Sequence, residues 1–199
     1  MRFPDGTITV MNTNKSDLES VLGCDLIYYN STRNSALLVQ YKRMSLEGSG
    51  LWVYRGDAQL VKEMERMREV ASDPCPTSVA QYRLHSGPQY LKVVRPTDFD
   101  GQSAELMDGM YIPLSLVDLM LESHSDTTRG GNLRIAREDG QYPTQRHINN
   151  TMFTNLFRDG WIGSFGTASD ELRSTIEHHF DADELVTIAI DDRVNSRAR

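Results

Sequence analysis

The sequence predicts an α/β chain, with α+β as its variant, and three observations carry that reading. The segments DLIYY (25–29) and ALLVQYK (36–42) are rich in β-branched, aromatic and aliphatic residues and are split by the polar NSTRNS, which is the pattern of a β-hairpin. After Asp57, the residues Leu60, Val61, Met64, Met67 and Ala71 recur at helical spacing. Further strand-like and helix-like segments follow one another to the end of the chain.

Composition supports a folded protein. The chain has 199 residues, 39% hydrophobic and 25% charged, which is ordinary globular composition and long enough for one substantial core without a metal or disulfide. Twenty-one Lys and Arg stand against 28 Asp and Glu, a net charge of -7, so a uniformly basic coat for nucleic acid is excluded and only a local basic site remains open. Residues 1–70 are balanced at nine basic and nine acidic, and the whole imbalance falls in 71–199. Cys24 and Cys75 are too few for a thiolate zinc site or a secreted disulfide framework. The opening MRFPDGTITV lacks the apolar run of a secretory signal, and no stretch approaches 18 apolar residues. A cytoplasmic protein with no membrane segment is expected.

Taken in order, GTITVM suits a short strand and KSDLESVLG a turn or brief helix, and the hairpin follows. Asp57 is placed to cap a helix whose apolar stripe faces a sheet, with Lys62, Glu63, Glu65, Arg66 and Glu69 outside. SDPCP (72–76) stops it, because proline lacks the donor and restricts the preceding residue. That break divides the chain into 1–72 and 73–199. Beyond it QYRL (81–84) and QYLKVV (89–94) read as a second hairpin, GMYIPL as an extended piece, 114–123 as a helix and NLRIAR (132–137) as a strand. Met152, Phe153, Leu156 and Phe157 share a helical face. The last helix is expected to be capped by Thr167 with Leu172, Ile176 and Phe180 as its stripe, before the strand-like ELVTIAI.

The hairpin also carries the best candidate chemistry. A loop symmetric about positions 32 and 33 sets Asp25 directly across from Gln40, with Lys42 one diagonal further on and on the same sheet face as Gln40. A carboxylate beside a side-chain carbonyl suits a hard divalent ion, and a neighbouring lysine suits activating water or balancing a phosphate oxygen. The other reading is an edge strand guarded by lysine. Arg129, Arg134, Arg137 and Arg146, taken with Lys42 and Arg43, form either a phosphate-binding face or a solvated stretch of alternating sign. The histidines at 85, 124, 147, 178 and 179 make no zinc spacing, and no phosphate-binding glycine loop is present.

GCDLIYY followed by LLVQYKRM resembles the nuclease motif of the restriction-endonuclease-like superfamily, PD-(D/E)xK, and most of all its branch related to Mrr-type enzymes, in which glutamine replaces the second acidic residue. The resemblance covers roughly residues 18–71. It implies a mixed central sheet flanked by helices, with 1–72 as the nuclease-like core, shortened at its N-terminus, and 73–199 packed on it or extending it. It implies metal-dependent cleavage of DNA, as in restriction or defence. Asp25 would be the metal-binding aspartate, Gln40 would take the second acidic position, Lys42 would be the catalytic lysine, and Glu19 is the nearby candidate for a further acidic ligand. Magnesium or manganese is the implied cofactor. Arg43, Arg129, Arg134 and Arg137 are the candidate DNA contacts, and a protein partner or second copy is the further expectation. The competing reading is a noncatalytic DNA- or protein-binding regulator that keeps a degenerate form of the same fold.

Overall fold

The computed structural model describes residues 8–13, 16–48, 50–70, 75–85, 87–95, 109–122, 133–137, 146–180 and 186–189. The first half contains β1 (Ile8–Asn12), α1 (Asp17–Leu22), β2 (Leu26–Asn30), β3 (Ser35–Arg43), β4 (Ser45–Leu46), β5 (Leu51–Tyr54) and α2 (Ala58–Glu69). The second half contains β6 (Gln89–Val94), β7 (Met110–Pro113), α3 (Leu114–Glu122), β8 (Leu133–Arg137), α4 (Asn150–Arg158), α5 (Gly166–Phe180) and β9 (Val186–Ala189). No helix among the described residues is long and apolar enough to cross a membrane.

A six-stranded mixed sheet runs β7-β6-β3-β2-β1-β9, and a smaller sheet runs β4-β5-β8. Only β3 and β6 pair in parallel; the other neighbours in the large sheet are antiparallel. Strands from both sides of position 72 therefore share one sheet. The β2–β3 register sets Leu26 opposite Val39 and Asn30 opposite Ser35, the pairing expected from a loop symmetric about positions 32 and 33.

Alternation along β3 divides the core. One face gathers Leu38 with Ile27, Leu91 and Val93 beneath residues of α1, α2, α3 and α5. The opposite face gathers Leu37 and Val39 with Tyr28, Tyr90 and Tyr111 against Phe153 and Phe157 of α4. There Phe153 stacks on Tyr111 with centroids 3.7 Å apart and meets Tyr28 and Tyr90 edge-on.

Most elements lie where the sequence puts them, and the exceptions have physical causes. Asp57 caps α2 by accepting from the Leu60 N–H, and Leu60, Met64 and Met67 are buried. Val61, expected in that stripe, is 53% exposed, whereas Glu63, expected outside, is buried. Ala71 lies outside the described residues. Met152, at the start of α4, is exposed because Phe153 and Phe157 already fill the face that meets the sheet. QYRL does not form a strand. A short 3₁₀ turn at Val79–Gln81 leads into it, and Arg83 donates to the carbonyls of Ala80 and Tyr82, which takes those groups away from a ladder. QYLKVV is β6, but it pairs with β3 and β7 rather than with QYRL. The last helix begins at Gly166, one residue before the expected cap Thr167.

Candidate functional site

Asp25 stands between the short helix α1 and β2, at the end of β3 away from the hairpin turn. Its approach is tightly shaped. Ser16 caps α1 and Gly23 closes it in the left-handed conformation at φ 69°, a position glycine adopts without steric cost. A Cβ on Gly23 would lie 2.5 Å from the Glu63 carbonyl oxygen and 2.9 Å from the Arg66 Cβ, so only glycine lets α1 end so close to α2. The Asp25 N–H then donates to the Val39 carbonyl at 3.0 Å, which continues the β2–β3 register by one residue.

That register brings Asp25 and Gln40 together. The Gln40 amide Nε2 donates to Asp25 Oδ2 at 2.8 Å, and the Tyr41 backbone N–H donates to the same oxygen at 2.7 Å. Burial pushes the Asp25 carboxyl above its ordinary value; the Tyr41 N–H opposes this, Glu19 adds to it, Lys42 opposes it and Glu63 adds to it. Glu19 on α1, Lys42 on β3 and Glu63 on α2 are thus all near enough for Asp25 to feel their charge.

Lys42 points toward the same helix-covered face and forms an ion pair with Glu63, Nζ to Oε2 2.5 Å, with side-chain exposures of 14% and 6%. Gln59 donates to the other Glu63 oxygen at 3.2 Å. Apart from Lys42, Glu63 Oε2 has no hydrogen-bond partner among the described residues, and neither do two other buried atoms of this region, Gln40 Oε1 and Tyr54 Oη. Burial raises the Tyr54 hydroxyl pKa above its ordinary value, with Asp57 and Glu63 adding to the effect. Buried polar atoms are nearly always paired, so unpaired oxygens beside a raised carboxyl mark a place suited to a polar ligand, water or a cation.

The structure joins Asp25, Gln40, Lys42 and Glu19 in one neighbourhood. β3 lies between β2 and β6, so the site is at the end of an interior strand and not on a sheet edge, and Lys42 is no edge guard. Among the described residues no three His, Cys, Asp or Glu side chains are grouped as a ready metal cage. A hard cation would take Asp25 and water, and would gain the Gln40 carbonyl once the amide turns over to bring Oε1 in place of the Nε2 that now donates to Asp25. Of the candidate phosphate contacts, Arg43 is exposed at the end of β3 and Arg146 is exposed before α4. Arg134 and Arg137 stand on β8 opposite Val53 and Leu51, in the small sheet that begins directly after β3. Arg129 lies outside the described residues.

Glu63 and Tyr54 were not candidates from sequence. Glu63 had a readable signal, since it occupies the i+3 position between Leu60 and Met67, inside the buried stripe, where an unpaired carboxylate would be costly. Tyr54 had none, because its hydroxyl reaches the site only through the packing of β5. Comparison of the chain with protein-family models, with curated proteins and with solved structures gave no match.

Proposed function

We propose that this protein is a metal-dependent DNA endonuclease of restriction or defence type, with its active site at Asp25, Gln40 and Lys42. The observation that carries the reading is the 2.8 Å contact between Gln40 and Asp25, with Lys42 one diagonal away on the Gln40 face. A carboxylate, a side-chain amide and an ammonium converge there from one end of a single hairpin. Asp25 and the Gln40 carbonyl would hold magnesium or manganese, which supplies charge neutralisation at the phosphate and a more acidic bound water. Lys42 is positioned to meet a phosphate oxygen or the attacking water, and Glu63 holds its ammonium at the site. Glu19 adds negative charge at the metal side.

A specific observation favours the noncatalytic alternative. The Lys42 ammonium is already paired with Glu63, and Asp25 Oδ2 already accepts two hydrogen bonds. A protein that keeps the fold as a binding scaffold would have its charges satisfied internally in this way.

Cleavage of plasmid and linear DNA by purified protein, with magnesium, manganese or chelator, separates the two. Metal-dependent cleavage that disappears in Asp25→Asn and falls in Lys42→Ala, with both variants folded by circular dichroism, supports the nuclease. Activity unchanged in Asp25→Asn would remove this site as its cause, and a lack of cleavage across many DNA substrates would favour the scaffold.

A further inference from the structure

At the other end of β3, about 15–20 Å from Asp25 at a strand rise of 3.3 Å per residue, the hairpin turn forms one wall of an open groove. The groove has a volume of about 920 Å³ and is lined in part by Arg33, Ser78, Val79, Tyr82, Gly160 and Trp161. Val79 is 96% exposed, Tyr82 53% and Trp161 44%, whereas Tyr28, Tyr29, Tyr90, Tyr111, Phe153 and Phe157 are all buried. The fold covers those six rings and leaves these two in water at a shared concavity, which is the pattern of a recognition surface.

The groove is built, not incidental. The Leu84 N–H donates to the Trp161 carbonyl at 2.8 Å, tying its two aromatic walls together. The buried Asn30 accepts from the Arg33 N–H at 3.2 Å and donates to the carbonyls of Phe157 and Arg158, so the hairpin turn is clamped to the end of α4. Gly160, at φ 81°, has no side chain, and a Cβ there would lie 3.3 Å from the Arg33 Cδ; the bare glycine is where the arginine stem rests. Arg83 is buried behind the loop, with its guanidinium donating to the carbonyls of Ala80, Tyr82 and Ser164 and lying over the Phe165 ring.

Charge identifies the occupant. Among the described residues of the lining Asp159 is the one carboxylate, and it is held by Arg158 at 3.0 Å. Arg33 has no carboxylate partner among the described residues; burial, and after it the charge of Arg33, disfavours the charge on Arg83. An anion is the complement of the exposed Arg33 guanidinium. A basic or proline-rich peptide would satisfy the rings and leave Arg33 unanswered. A nucleotide satisfies both, since its base stacks on an exposed aromatic ring and its phosphate meets a guanidinium.

We propose that the groove binds an unpaired segment of DNA, with bases stacked on Trp161 and Tyr82 and a phosphate at Arg33. This deepens the nuclease reading and rests on it for the choice of DNA, because it names single-stranded or frayed DNA as part of the substrate and places its grip away from the site of cleavage.

The test is fluorescence anisotropy of a labelled dT oligonucleotide with the full chain in chelator, so that no cleavage is needed, beside a duplex of equal length and a polyglutamate peptide. Tight binding of the oligonucleotide, weaker duplex and peptide binding, and loss of affinity with rising salt are expected. Trp161→Ala and the surface change Arg33→Glu should each weaken binding about tenfold or more, Trp161→Phe should recover most of the loss, and Val61→Ala, on the exposed side of α2, should have no effect. Saturable quenching of tryptophan emission should accompany binding, because Trp161 is exposed and Trp52 is buried. Unchanged affinity in both Trp161→Ala and Arg33→Glu, or preference for the duplex or peptide, would overturn the proposal. Groove binding without metal-dependent cleavage would remove the nuclease reading and leave the groove standing, and cleavage without groove binding would do the reverse.

Discussion

Two lysines on opposite faces of one sheet meet different described neighbours. Lys42 meets a carboxylate, Glu63, beside Asp25 and the unpaired oxygens of Gln40 and Tyr54. Lys92 on β6, fully buried, donates to the Tyr41 hydroxyl at 3.0 Å and lies 4.8 and 4.7 Å from the ring centroids of Tyr41 and Tyr111. Tyr41 separates the two environments: its N–H grips Asp25 while its ring meets Lys92 on the other face. Two aromatic faces and a hydroxyl add to the stabilisation of a cation within a packed core. A carboxylate setting gathers formal charges and oxygen atoms, the materials of a site that handles cations and phosphate.

The largest effect expected from breaking that contrast is at Lys42. Lys42→Met leaves the buried Glu63 carboxylate without its cation and should cost about 3–5 kcal/mol in denaturant unfolding. Adding Glu63→Leu should recover more than half of that loss, and independent, additive effects of the two changes would show that the pair is not coupled. Met64→Ala, one residue along α2, should cost about 2–5 kcal/mol through lost transfer energy and a cavity; a change below about 0.5 kcal/mol in urea titration would show that this face of α2 is not core. On the aromatic face Tyr41→Phe keeps the ring and removes the oxygen that accepts from Lys92, with an expected cost of about 1.5–3 kcal/mol. Equal stability of the wild type and Tyr41→Phe would leave the ring as the group that matters to Lys92.

A smaller effect concerns pH. Burial holds the His85 imidazole below its ordinary value, and its ring meets Tyr90 edge-on. The unfolded chain then takes the proton first, so this contribution is fully present above a histidine's usual pKa of about 6.5 and is lost as pH falls through it. Urea midpoints measured from pH 8 to pH 5 should fall less steeply in His85→Gln than in wild type. The smallest expected change is Val61→Ala, below about 0.5 kcal/mol, because that side chain is exposed although it has the spacing of the core stripe.

Much of the fold was legible because it rests on short-range signals. The hairpin followed from two β-rich runs around a polar loop, and loop symmetry alone set Asp25 against Gln40. α2 followed from Asp57 and the 60–64–67 spacing, with its error at Val61 and Glu63 arising where a polar residue stands inside the stripe and an apolar one outside it. QYRL misled because Tyr82 and Leu84 look like strand residues. They are exposed, and the backbone between them is held by the Arg83 guanidinium instead of a neighbouring strand.

The sequence by itself determined the local periods, the cap at Asp57 and the hairpin register, because each depends on residues within a few positions or across one tight loop. Only the tertiary structure decided that β6 pairs in parallel with β3, that Glu63 reaches Lys42, and that Arg33 shares a groove with Tyr82 and Trp161. Those contacts join residues 21 to 128 positions apart. At such separations, packing and the burial of charge select the partners, and no local spacing records the choice.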